Sequence, residues 1–127
     1  MVSAASAGNT VKQAISMTSS GGQISQSAAN AAVVRGNNNH ISQGVIQSAY
    51  GSQITQSGAN AAVVVGDDNA VRQGVAQQAC GSSITQSGAN ALAVLGDNNT
   101  AGQKVSQTAI GQNIFQNGWN TGSITGD

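Results

Sequence analysis

The chain contains no proline and no glutamate, a single cysteine, and one each of tryptophan, tyrosine and phenylalanine among 127 residues. Each shortage argues against a class of protein. Only 6% of residues are charged, with Lys12, Arg35, Arg72 and Lys104 balanced by Asp67, Asp68, Asp97 and Asp127. A zero net charge with no basic stripe leaves nothing to neutralise phosphates, so nucleic-acid binding is not expected. It also removes the self-repulsion that keeps molecules apart, which favours association. No apolar run approaches the roughly 18 residues of a membrane-spanning helix. Cys80 has no partner for an intramolecular disulfide and suits a small buried position.

The residues present in excess are glycine (17), glutamine (15) and asparagine (13), while the apolar fraction is mostly alanine and valine. A globular core needs bulkier apolar side chains to offset the entropy of ordering a chain. Polar, amide-rich chains of this kind often stay disordered. The pattern decides against disorder, because it is periodic. Residues 21–50, 51–80 and 81–110 are successive copies of one 30-residue unit. Residues 111–127 begin another copy, and 8–20 match the second half of the unit.

Within the unit, alternate positions are nearly constant: Ile54, Gln56, Gly58, Asn60, Ala62 and Val64, then Asn69, Val71, Gln73, Val75, Gln77 and Ala79. The positions between them vary, as the column Lys12, Ser42, Arg72, Gly102 shows. A period of two predicts β-strands with the constant set facing inward. Turn chemistry falls at Gly58-Ala59-Asn60, Gly66-Asp67-Asp68-Asn69 and Cys80-Gly81-Ser82. The expected fold is therefore an all-β solenoid of stacked 30-residue coils, four periods long. A coil of this length leaves room for either a third strand or a longer second arm. Stacking at about 4.8 Å places identical residues above one another. Three amide columns follow: Gln26, Gln56, Gln86, Gln116; Asn30, Asn60, Asn90, Asn120; and Gln13, Gln43, Gln73, Gln103. Each carboxamide can donate to one neighbour and accept from the other, so the columns can be buried.

The string Ile54-x-Gln56-x-Gly58-x-Asn60-x-Ala62 recurs at Ile84-x-Gln86-x-Gly88-x-Asn90 and Ile114-x-Gln116-x-Gly118-x-Asn120, with Ile24-x-Gln26 and Asn30-x-Ala32. It resembles the repeat of curlins, the secreted subunits of bacterial curli functional amyloid, over essentially the whole chain from Gly8. The resemblance implies a β-arch solenoid, secretion to the cell surface or beyond, and polymerisation into biofilm-matrix fibres. The unit here is longer than a curlin repeat and poorer in aromatic residues.

No catalytic constellation is visible, and neither enzymatic activity nor a cofactor is expected. His40 stands in a column continued by Ala70 and Thr100, which fits a solvated side chain. Asp67, Asp97 and Asp127 share one turn position with Asn37; stacked carboxylates repel unless neutralised, so Ca²⁺ is a candidate there and a solvated turn is the alternative. Thr55-x-Ser57 and Thr85-x-Ser87 form a row of the kind used by ice-binding solenoids, but it becomes Ser25-x-Ser27 and Phe115-x-Asn117 on either side. A trimeric phage or adhesin stalk is the other alternative to a fibre subunit.

Two surfaces are expected to make contacts. Ala61 to Val65 and Ala91 to Leu95 are apolar on both faces, so Val63, Val65 and Leu95 are expected to pack against another part of the coil or a neighbouring filament. The ends form the second surface. Asp127 and Gly8 are consecutive in the frame of 30, so residues 8–127 make four whole periods cut within a coil. Ala5-Ser6-Ala7 resembles an export cleavage site, which marks residues 1–7 as a leftover leader and Gly8 as the start of the solenoid. The half-coil carrying Ile114, Gln116, Asn120 and Asp127 is then expected to pair with the half-coil carrying Gly8, Asn9, Val11 and Gln13 of a second copy, giving a head-to-tail homopolymer.

Overall fold

The computed structural model describes residues 2–5, 10–36, 38–66, 68–96 and 99–125, the first of these segments by its backbone alone. Its strands are β1 (Val2–Ala5), β2 (Thr10–Arg35), β3 (His40–Val65), β4 (Ala70–Arg72), β5 (Val75–Cys80), β6 (Ser83–Leu95), β7 (Thr100–Gly102), β8 (Val105–Ile110) and β9 (Asn113–Thr125). No helix among the described residues is long and apolar enough to cross a membrane.

Every strand pairs in parallel with the residues one period away. β2 lies on β3 from Thr10 on His40 to Arg35 on Val65. β3 lies in turn on β4, β5 and β6, and these on β7, β8 and β9. β2 cannot be straight, since 26 residues would reach roughly 85 Å at strand rise, yet Gln26 Nε2 lies 2.9 Å from Ser19 Oγ. The chain doubles back at 20–23, so each coil is an arch of two facing arms, 10–20 and 23–35 in the first coil. The fold is a β-solenoid of about four turns, and in the later coils the first arm is broken into two short strands, β4 and β5 and then β7 and β8.

Alternation of burial along both arms follows the constant positions of the repeat. The interior is layered. At the open end of the arch Val11, Val34, Ile41, Val64, Val71 and Val94 pack together. Ala28, Val45 and Val75 fill the middle, and Ile24, Ala49, Ile54, Ala79 and Ile84 fill the corner. Between these three apolar layers lie two layers of buried amides. One holds Gln43 and Asn60, the other Gln47 and Gln56, with their copies above and below.

The turn expected around 66–69 is present: Gly66 has φ 147° and Asp68 φ 51°, values that favour glycine and short polar residues. A Cβ on Gly66 would lie 1.6 Å from Gly36 O of the coil above. The corner near Gly81-Ser82 is also present. No turn forms at Gly58-Ala59-Asn60, which runs straight through β3. Gly58 faces the interior, where a Cβ would sit 3.0 Å from Val45 Cγ1 and 2.9 Å from Val75 Cγ1. The glycine makes room for the opposite arm and does not bend the chain. Strand pairing also extends ahead of Gly8, because β1 pairs Val2 with Ala32 through Ala5 with Arg35.

Candidate functional site

The amide columns are hydrogen-bonded ladders. Gln56 Nε2 donates to Gln26 Oε1 at 2.8 Å, Gln86 to Gln56 at 2.8 Å, and Gln116 to Gln86 at 2.7 Å. In the asparagine ladder the donors run the other way, Asn30 to Asn60 at 3.1 Å, Asn60 to Asn90 at 3.0 Å and Asn90 to Asn120 at 2.9 Å. Gln13 donates to Gln43 at 2.9 Å and Gln43 to Gln73 at 2.8 Å. This ladder stops short of the fourth residue. In the last coil Gln103 keeps its bond to Thr121 O, while its buried Oε1 has no partner.

A third glutamine ladder, a fourth amide column beyond the three expected, is present: Gln77 Nε2 donates to Gln47 Oε1 at 2.6 Å and Gln107 to Gln77 at 2.8 Å. Met17 occupies its place in the first coil, which obscures the column in the sequence. Asn69 Nδ2 also donates to Asn39 Oδ1 at 2.8 Å, beside the turn. The signal for both was constancy at a spacing of 30.

Most ladder amides use a second N–H across the arch, and these bonds reveal how the arms interleave. First-arm amides reach the second arm of their own coil: Gln13 to Ala31 O, Gln43 to Ala61 O, Gln47 to Ser57 O. Second-arm amides reach the first arm of the following coil: Gln26 to Ser48 O, Gln56 to Gln78 O, Asn30 to Gly44 O, Asn60 to Gly74 O. A second arm is therefore complete only when another first arm lies beyond it. The last second arm, β9, has none among the described residues.

The consequence is visible in burial. Ile84 is 1% exposed and its copy Ile114 is 44%; Val94 is 2% exposed and its copy Ile124 is 53%. Gln116 and Asn120 are exposed, and neither makes the cross-arch bond of its copies. At the other end, Gln13 is half-buried and Val11 is buried. Gly8, Asn9 and the aspartates Asp67, Asp97 and Asp127 lie outside the described residues.

Val63, Val65 and Leu95 are exposed on the outer face of the second arm. No segment among the described residues covers them, so the expectation that another part of the coil packs there does not hold. Thr55, Ser57, Thr85 and Ser87 also face outward, and the row ends at the exposed Phe115. His40 is exposed at the start of β3.

The chain matches no protein-family model. No curated protein and no solved structure matches it either. The curlin resemblance thus rests on the repeat pattern alone.

Proposed function

We propose that this chain is a structural subunit that adds head to tail into an extracellular fibre, sheath or matrix filament, in the manner of curlins, and that it has no catalytic role. The observation that carries the reading is the regular repetition of the coil, in which each second arm completes its hydrogen bonds and its apolar columns only against the first arm of another coil, as β9 shows where no such arm is described. The apolar columns of β9, buried in every coil above it, stand open at Ile114 and Ile124. Continuing the bonding pattern by one step places the first arm of a second copy against it. Gln116 Nε2 would then donate to Thr18 O, and Asn120 Nδ2 to Ala14 O, as Gln86 does to Thr108 O and Asn90 to Lys104 O.

The ladder polarities match at such a junction. Asn120 Nδ2 would meet Asn30 Oδ1, and Gln26 Nε2 would meet Gln116 Oε1, so a donor faces an acceptor in each case. A contact joining two different surfaces repeats without closing unless curvature closes it, which produces a filament or a hoop. The outer apolar face with Val63, Val65 and Leu95 would serve lateral packing of such filaments.

High-resolution imaging of material grown from the purified chain tests this. The expected axial repeat is four coils, roughly 19 Å at strand spacing. A particle that stays monomeric at high concentration, or an assembly that leaves β9 uncovered, would overturn it. An ice-binding solenoid would instead show thermal hysteresis without elongation.

A further inference from the structure

The short strand β1 occupies a place that the proposed junction needs. One period separates Leu92 from Gly122 and Leu95 from Thr125 in the stack. Continuing the same register into a following copy sets Gly122–Thr125 of the preceding subunit on Ala32–Arg35. That edge is already taken, since Val2–Ala5 pairs with Ala32–Arg35 in the same direction and register. A strand edge has one row of donors and acceptors, so it accepts one neighbour at a time.

We infer that β1 is an internal cap: it stands in for Gly122–Thr125 of a preceding subunit and must leave before a gapless junction can close. The inference rests on the head-to-tail reading. Burial at this end agrees with it. Val11 is buried against Ala32 and Val34, the stretch that β1 covers, whereas Gln13, Ile15, Met17 and Ser19 further along the same arm are only half-buried. The cap covers one end of the stack and leaves β9 open at the other. An incoming subunit would therefore bring its capped end to an open β9, and releasing β1 would be part of each addition.

Two full-length variants test the cap. In S3P/A4P, one proline falls on a residue whose N–H points at β2, whichever of the alternating pair that is, so the strand is released. In S3C/V33C, made with Cys80→Ser, paired positions about 4.8 Å apart lie within disulfide span, so oxidation locks the strand in place. Hydrogen exchange at Ala32–Arg35 of the monomer reports whether the cap is on or off, and the melting curve reports whether the stack is intact. Elongation from preformed seeds is expected to be about tenfold faster for the released variant than for the native chain. It is expected to be about tenfold slower for the oxidised lock than for its own reduced form. Equal elongation rates in all forms would overturn the cap and leave head-to-tail assembly standing. Failure of every form, the released one included, to elongate would overturn the assembly reading and the cap with it.

Discussion

An amide at a protein surface can always exchange a lost partner for water, and a buried amide cannot. The two situations occur side by side here. Gln56 is fully buried, donates to Gln26 Oε1 and Gln78 O, and accepts from Gln86. Gln23 donates to Gln53 in a pair of the same chemistry and spacing, but in solvent. Gln56→Leu therefore strands three groups inside the stack and is expected to cost at least about 2 kcal/mol in urea unfolding. Gln53→Leu should change stability by less than about 0.5 kcal/mol. Equal effects would mean that the ladders add nothing beyond surface hydrogen bonding. The backbone bonds across the arch give the ladders a second role, because every cross-arch amide ties one sheet to the other.

At the scale of the element, the arch depends on what its corners tolerate and what its arms leave unfilled. Gly66 combines a positive φ with a Cβ position inside the carbonyl of Gly36, so Gly66→Ala is expected to cost about 2 kcal/mol or more. Gly44 lies in a strand, and a Cβ there would meet nothing within 4 Å. Gly44→Ala should be neutral or stabilise by up to about 1 kcal/mol, by restricting the unfolded chain. Thermal melts of the two single variants, read against the native chain, check both signs. Gly58 differs from both, because its constraint is the valine pair on the opposite arm and not its own backbone.

At the scale of the whole molecule, a stack whose units touch only their neighbours is stabilised coil by coil, and its ends are its weak points. Ile114 and Ile124 are half-exposed in the single chain, so replacing both with Asn should hardly alter monomer melting. If they become core at a junction, each contributes roughly 1.5–3 kcal/mol there, and the double variant should raise the concentration needed for elongation by more than about a hundredfold. Sedimentation of variant and native chains after seeding measures this, and an unchanged threshold would place the junction elsewhere. Met17 marks the same seam from the other side. It interrupts the ladder of Gln47, Gln77 and Gln107, and Met17→Gln would offer Gln47 an acceptor and the preceding subunit's Gln107 a donor. Filaments of that variant are expected to dissociate more slowly on dilution.

The strict spacing of 30, and the constancy of every second residue within it, were enough to determine the solenoid, its register and the inward set. Identical residues one coil apart must stack if parallel strands are to pair along their length, and period two leaves only one choice of face. Position 17 hid one ladder because a single methionine breaks the column, and Gly58 suggested a turn because glycine serves both bends and close packing. Which of the two it serves depends on Val45 and Val75, residues that only the folding of one arm onto the other brings near. The division into two arms, the half-step by which second arms reach forward to the next coil, and the pairing of Val2–Ala5 with Ala32–Arg35 were likewise decided by the tertiary structure. Each arises between segments whose distance along the chain is not a whole period, or whose side chains do not repeat, and periodicity carries no information about such contacts.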